Sequence, residues 1–360
     1  MRRLVEALAA PRPRLALMVL AGLLLAVSLT DPTLTLRRNT YDFIFTLDIT
    51  GSMNVVDAED AGVPLDRLTY AKRLVGRALA RMPCGSRAGL AVFTEHRTFL
   101  LFEPIEICEN HLVLSTMLER IDGGMAWAAR SEVAKGLYAG IDAIAALREM
   151  HAERGPARTR LVFLTDGHEA PPVHPTLRPR FRGRSGEIGG LIAGIGGAVP
   201  MPIPRLDDQG RMIGYWAHDE VQQVDRHSLG RPSNEGGEAM AGIDPGDLQE
   251  RIARGTEHLS SLKEGYLQQL AAETGLDYLR ASSPDAFVRA LLDPRHATRR
   301  PVRTRVAWIP AALGLLCLLV LYGSELPGVA ARGAAVTAPA RSARASRHAG
   351  TARPDPAPRG

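Results

Sequence analysis

Three alternate residues in the run Asp48-Ile49-Thr50-Gly51-Ser52 offer one carboxylate and two hydroxyls, all oxygen donors. Hard divalent cations take shells of this kind: Mg2+ or Ca2+, with Mn2+ also accommodated. A second carboxylate, Asp166, follows Val162-Phe163-Leu164-Thr165, and Ser131 stands just ahead of a helical-period stretch that starts at Glu132. Each has a plainer reading alone. Asp before small residues starts turns, Thr50 and Ser52 cap the next segment, and Ser131 followed by Glu132 makes an ordinary N-cap. Together, at the ends of separate elements, they are hard to explain as caps. Asp48, Thr50, Ser52, Ser131 and Asp166 are the candidate metal ligands.

The same residues make a weak catalyst. A bound metal could polarise a phosphate or activate water, with His168 shuttling protons. Phosphotransferases with an aspartyl nucleophile usually carry a second carboxylate two residues further on, and Thr50 stands there instead. His168, in a loop rich in Gly and Pro, reads as a solvated side chain. No catalytic residue is assigned, and a metal-dependent phosphohydrolase is the least favoured alternative. Gly194-Ile195-Gly196-Gly197 lacks the third spaced glycine of a dinucleotide fold, and no phosphate loop or Cys-x-x-Cys pair is present. His168, Glu169 and His174 lack zinc-protease spacing.

Alternating strands and helices position the candidate ligands. Tyr41 to Leu47 and Arg160 to Thr165 are nearly unbroken apolar runs, as expected of strands covered on both faces. Asp66 to Met82 and Glu132 to Met150 carry apolar residues at helical spacing. A strand over 191–195, a helix around 262–274, a strand over 276–280 and a helix over 284–292 continue the pattern. The fold class is therefore α/β, a three-layer, Rossmann-like domain over 41–294 with a mostly parallel sheet and helices on both faces. Ala88 to Phe93 and Phe99 to Phe102 are too close for a crossover and should form an antiparallel hairpin at the sheet edge. With the turn near His96, Cys84 lies twelve residues before it and Cys108 twelve after, which makes them a candidate disulfide. Oxidation implies a compartment outside the cytoplasm.

Between about 199 and 258 the pattern dissolves into a long insert rich in Pro, Gly and charge. Leu206 and Arg211 to Tyr215 should form a small hairpin there, and Tyr215 and Trp216 are candidates for a partner surface.

The chain has 360 residues, 45% hydrophobic and 23% charged, enough for a substantial core. Its net charge of +5 hides an uneven distribution. The ends carry most of the arginine excess and leave residues 31–294 net acidic, which argues against nucleic acid as a partner. Residues 1–14 read as a basic cytoplasmic N-terminus, 15–30 as a signal anchor or signal peptide, 306–323 as a transmembrane helix, and 324–360 as a disordered tail rich in Arg, Ala and Pro. Arginine-rich ends place both in the cytoplasm and the domain in the periplasm, attached to the inner membrane. Arg299, Arg300, Arg303 and Arg305 conflict with that orientation, because they sit on its outer side. Cys317 falls within the second apolar run.

Asp48-Ile49-Thr50-Gly51-Ser52 resembles the Asp-x-Ser-x-Ser element of von Willebrand factor A (VWA) domains, with threonine in place of the first serine. Thr165-Asp166-Gly167 is similar to that family's second acidic element, and Ser131 stands where the family usually has threonine. The resemblance covers roughly residues 41–294. It implies a metal-ion-dependent adhesion site (MIDAS): Thr50, Ser52 and Ser131 contact the ion, and Asp48 and Asp166 act directly or through water. An acidic residue of a protein partner would complete the shell. Four further segments, 83–87, 104–108, 165–171 and 202–207 running on to 213–216, most resemble members encoded in bacterial methanol-oxidation clusters. That implies a role in maturation of periplasmic methanol dehydrogenase, including provision of its calcium. The alternative within the family is a module of an envelope assembly or stress complex working with an AAA-type ATPase.

Overall fold

The computed structural model describes residues 11–128, 130–152, 158–172, 178–207, 209–223, 250 and 253–323. The expectations for most of the basic N-terminus, His174, the middle of the insert and the tail after 323 lie outside these residues. The chain forms two compact units, Thr35–Thr304 and the two ends Met1–Leu34 and Arg305–Gly360.

The larger unit is built on a six-stranded mixed sheet. Its strands are β2 (Asp42–Asp48), β5 (Arg87–Thr94), β6 (Arg97–Glu106), β7 (Arg160–Thr165), β8 (Gly190–Gly194) and β13 (Asp277–Arg280), in the order β13-β8-β7-β2-β5-β6. All neighbours run parallel except β6, which is antiparallel to β5 at the edge. The first of these six strands in sequence, β2, lies at the centre, and all seven of its residues are buried. Alternate side chains feed two cores, which is why the run reads as continuously apolar. Phe43, Phe45 and Leu47 join one core with helices α2 (Arg67–Arg81), α3 (His111–Arg120) and α6 (Pro284–Leu291). Ile44 joins the other with α4 (Val133–Met150) and α5 (Glu264–Thr274).

Local chemistry sets the helix limits. The Asp66 carboxylate caps α2 by accepting from Thr69 N at 2.7 Å, and Ser283 caps α6 with Pro284 in its first turn. Gly275, at φ +75°, ends α5 in the left-handed region. In α4, a Cβ on Gly136 would stand 2.1 Å from the Phe93 ring, so glycine is what lets the helix lie close to β5.

In the edge hairpin, ten residues of β6 face eight of β5, and bulges absorb the difference. Cys84 and Cys108, just outside the paired strands, are joined by a disulfide. Smaller ribbons complete the unit: β3 (Val56–Asp60) with β4 (Val63–Asp66), β9 (Met201–Pro202) with β12 (Leu259–Ser260), β10 (Pro204–Leu206) with β11 (Met212–Tyr215), and β1 (Thr33–Thr40) with β14 (Thr298–Arg305).

In the smaller unit α1 (Pro11–Leu29) packs against α7 (Trp308–Gly323), with Gly314 fitted against Ala21 and Leu25. Ser28 Oγ donates to Ala307 O at 2.9 Å and Val306 N to Pro32 O at 2.9 Å. The two expected transmembrane segments are corrected here. No helix among the described residues is long and apolar enough to cross a membrane. The first turn of α1 is spent on Pro11-Arg12-Pro13-Arg14, leaving a short apolar remainder. The second run loses Val306 and Ala307 before its helix starts, and the 16 residues of α7 extend about 24 Å against a hydrocarbon layer of about 30 Å.

Candidate functional site

The carboxyl ends of β2 and β7 lie side by side where the strand order reverses, the place in an open α/β sheet where loops leave a crevice. Parallel register pairs Leu47 with Leu164, which sets Asp48 across from Thr165. The Thr165 hydroxyl donates to Asp48 Oδ2 at 2.6 Å. Asp48 Oδ1 accepts from Thr50 N at 2.9 Å and from Thr50 Oγ1 at 2.7 Å. A tight turn over Gly51–Asn54 then brings Ser52 Oγ to 3.4 Å from Thr50 Oγ1.

Ser131 reaches the same cleft from another direction. Its N–H donates to Ala170 O and its carbonyl accepts from Ala170 N, both at 2.8 Å, while the Ser131 segment also bridges to Glu95. Glu169 Oε1 accepts from Ala134 N at 3.0 Å and from the Tyr266 hydroxyl, fixing the start of α4. Ser131 is 2% exposed and its hydroxyl oxygen has no hydrogen-bond partner. A buried orphan hydroxyl costs about 1–3 kcal/mol, so a feature of this kind asks for a ligand.

Asp166 is held differently. Its Oδ2 accepts from Arg67 Nη1 at 2.5 Å and from Ser260 Oγ at 2.8 Å, and its Oδ1 from His168 N at 3.0 Å. Arg67 is wholly buried and fully engaged. Its Nε and Nη2 grip both oxygens of Asp57, Nη1 also donates to Ser52 O and Ser260 Oγ, and Nη2 to Ser260 O. One guanidinium thus ties together the Asp48–Ser52 loop, the second acidic element, the β3–β4 ribbon and the returning end of the insert.

These contacts separate the two carboxyls electrostatically. Burial, and then the nearby Asp166 charge, push Asp48 up to about 7 against the hydrogen bonds from Thr165 and Thr50. Burial also acts to raise Asp166, but Arg67, followed by His168 and Ser260, outweighs it and holds that carboxyl below its ordinary value. Asp166 is therefore the settled anion, and Asp48 is the one that lacks a countercharge.

Thr50, Ser52, Ser131 and His168 line a cleft of about 1110 Å³. The insert builds its opposite side with Ile203, Leu206, Met212 and Trp216. Its entry and exit are zipped together by β9 and β12, and Leu262 N donates to Gly197 O at 2.8 Å. Trp216 is half-buried, with the Arg205 guanidinium 4.9 Å from its ring centre and Glu220 on Arg205. Tyr215 is exposed on the hairpin and does not line the cleft, so the two aromatic candidates part company.

His168 departs from its solvated reading. It is 2% exposed, neither ring nitrogen has a hydrogen-bond partner, and Nε2 lies 3.7 Å from Glu257 Oε2. Burial, ahead of the opposing pull of Asp166, lowers its pKa, while burial pushes Glu257 up to about 7. Sequence reasoning also missed Arg67, Asp57 and Ser260. Arg67 did leave a signal: it stands four residues before Ala71 and seven before Leu74, on the stripe of α2 that is otherwise apolar.

The donor set suits a hard divalent cation. Thr50, Ser52 and Ser131 line the cleft with hydroxyl oxygens and the buried Asp48 is hydrogen-bonded to Thr50; the unsatisfied Ser131 hydroxyl and the uncompensated Asp48 are what such an ion would satisfy. With Oδ2 shared between Arg67 and Ser260, Asp166 has only Oδ1 less fully used. Among the described residues the only clustered His, Cys, Asp or Glu atoms of metal-site spacing are Cys84, Glu106 and Cys108, and two of those form the disulfide.

No family model matches the chain, and no curated protein does. Solved structures similar to it include an aerotolerance-related membrane protein from Bacteroides fragilis, 18% identical, covering 70% of this chain and 96% of that one at a TM-score of 0.41. A membrane spanning protein from Vibrio fischeri is 18% identical, covering 69% and 96% at a TM-score of 0.25. A von Willebrand factor type A protein from Catenulispora acidiphila is 14% identical, covering 38% and 28% at 0.26. Likenesses at these scores carry no argument, and none supports the methanol-oxidation branch.

Proposed function

We propose that the chain is a non-enzymatic, VWA-type binding module that uses a divalent cation, Mg2+ or Ca2+, to capture an acidic side chain of a protein partner. The observation that carries this reading is the buried, unpartnered Ser131 hydroxyl in the same cleft as Thr50 and Ser52, with Asp48 behind Thr50 lacking a countercharge. Asp48, Thr50, Ser52 and Ser131 would hold the ion, with Asp166 acting from behind. The chemistry the ion would supply is a coordination position for an external carboxylate. Hydroxyl ligands are neutral, so they leave positive charge available to that acid. Arg67 pairs with Asp166 as well as Asp57 and so compensates part of the Asp166 charge, and the insert wall of Ile203, Leu206, Met212 and Trp216 gives the partner an apolar surface in the same cleft.

The finer reading follows the resemblance to the MxaL-type members of methanol-oxidation clusters: an accessory factor for maturation of periplasmic methanol dehydrogenase, with calcium as its ion. The disulfide fits an oxidising compartment. The paired helices α1 and α7 present Leu23, Val27, Leu315, Leu316 and Leu319 to their surroundings, and we take this surface as a contact with lipid.

The test is calorimetric titration of the chelated protein with Ca2+ and Mg2+. Wild type should bind one ion, Ser131→Ala should weaken binding about tenfold through loss of one neutral ligand, in line with the net value of a single polar contact, and Asp48→Asn should abolish it. The same variants should lose cation-dependent capture of methanol dehydrogenase. Equal ion affinity in all three proteins would refute the site. Intact ion binding without capture would refute only the partner.

A further inference from the structure

The two-stranded ribbon of β1 and β14 stands apart from the main sheet and takes no part in the cleft. Exposure along β14 alternates strictly, so the strand sorts its arginines by face. Arg300, half-buried, meets the buried Asp42 carboxylate at 2.8 Å. Val302, on the same side, packs beside Gly85. Arg299 and Arg303 are exposed on the other side. On β1 every residue from Thr33 to Asn39 is exposed, Arg37 and Arg38 among them. Among the described residues, none of the side chains of Arg37, Arg38, Arg299 and Arg303 has an ion-pair or hydrogen-bond partner.

Four uncompensated guanidinium groups on one small ribbon form a binding surface for anions. What they bind is indicated by what the chain does next. Arg303 lies five residues before Trp308, which opens a helix whose exposed side chains include Leu313, Leu315, Leu316 and Leu319. The other strand starts at Thr33, four residues after Leu29, the last residue of the other apolar helix. Exposed arginines followed along the chain by Trp308 and then by leucines, and on the other strand preceded in sequence by the apolar helix α1, match the chemistry of a lipid surface, which offers anionic phosphates as well as acyl chains. A nucleic acid or an acidic protein would account for the arginines but not for the apolar residues that follow them.

We propose that the exposed arginines of the β1–β14 ribbon, Arg299 and Arg303 with Arg37 and Arg38, bind the phosphates of anionic phospholipids. The proposal rests on the lipid contact assigned above to α1 and α7 and adds a headgroup preference to it. It also accounts for the arginines that conflict with a simple inside-outside charge rule: they serve a surface, and their position says nothing of orientation.

The full-length protein would be incubated with vesicles of phosphatidylcholine alone and of phosphatidylcholine mixed with phosphatidylglycerol, and bound fractions read by flotation. Each basic residue near an anionic surface is worth about fivefold in affinity, about 1 kcal/mol. Arg299→Gln/Arg303→Gln should therefore reduce the preference for anionic vesicles about 25-fold, and adding Arg37→Gln and Arg38→Gln should remove most of what remains. High salt should have the same effect on wild type. The matched control Arg184→Gln/Arg211→Gln, at exposed arginines elsewhere, should retain the preference. All four ribbon arginines are exposed, and unchanged thermal melting of the variants checks that they fold. Equal binding of wild type to both vesicles, or an undiminished preference in the quadruple variant, would overturn the ribbon proposal and leave the lipid contact standing. Failure to bind either vesicle would overturn both. Loss of anionic-vesicle binding on adding short duplex DNA, with equal affinity for that DNA, would assign the ribbon to nucleic acid instead.

Discussion

A divalent cation should stabilise this protein far more at pH 8 than at pH 5, and Asp48 is the reason. Its folded-state pKa is raised from 3.8 to about 7 by burial and by Asp166. A group raised in this way contributes stability that is fully present below its unfolded value and is lost as pH rises through its folded value. In chelator, stability should therefore fall between about pH 4 and pH 7 and then level off. The shift corresponds to at most about 4 kcal/mol, from about 1.4 kcal/mol per pKa unit. At roughly 2–4 °C per kcal/mol for a domain of this size, the ceiling is on the order of 10 °C in Tm. An ion beside the Asp48 carboxylate supplies the missing countercharge and restores what ionisation costs. Near pH 5 the carboxyl holds its proton and the ion has less to offset. The assay is thermal melting with excess Ca2+ or chelator across that range. Glu169 and Glu257, also raised to about 7 by burial, bend the chelated curve the same way. Asp48→Asn isolates the Asp48 part, because the amide can still accept from Thr50. The reasoning fails if the ion raises Tm equally at pH 5 and pH 8, or if Asp48→Asn responds to it as wild type does.

Arg67→Met should cost about 3–5 kcal/mol, because it strands the buried Asp166 carboxylate; pairing it with Asp166→Asn should return part of that loss in a denaturant double-mutant cycle, and purely additive losses would show that the ion pair is not the cause. Reducing the Cys84–Cys108 bond, which closes a segment of sequence separation 24, should lower stability by about 2–4 kcal/mol, measured as the denaturation midpoint with and without dithiothreitol. An unchanged midpoint would mean that the β5–β6 hairpin needs no covalent closure.

The central strands were legible because burial on both faces leaves a continuous apolar run, as Phe43–Leu47 and Leu161–Leu164 show. The edge hairpin could be read from its short connection, although its bulges could not: one of them lies at Gly89, where a Cβ would stand 2.9 Å from Phe102 O. The helical limits of the apolar ends were misjudged because hydropathy does not register that Val306 N–H is committed to Pro32 O before α7 begins. At the site, Asp48, Thr50 and Ser52 are close in sequence and spacing exposed them. Arg67 and Ser260 are 193 residues apart, and no local pattern links them. His168 was misread because composition describes a loop's chemistry and not what folds over it; the insert and Glu257 cover it in the folded chain.

The zipped base of the insert has an evolutionary consequence. Since Met201–Pro202 and Leu259–Ser260 lie against each other, the sheet is indifferent to how much polypeptide is threaded between them, and lengthening such an excursion costs only slowly increasing closure entropy. Natural variation can therefore rewrite that excursion wholesale, exchanging one clientele for another, while the oxygen-lined end of the cleft stays as it is. The same junction is the natural splice point for grafting a foreign recognition cassette onto this scaffold.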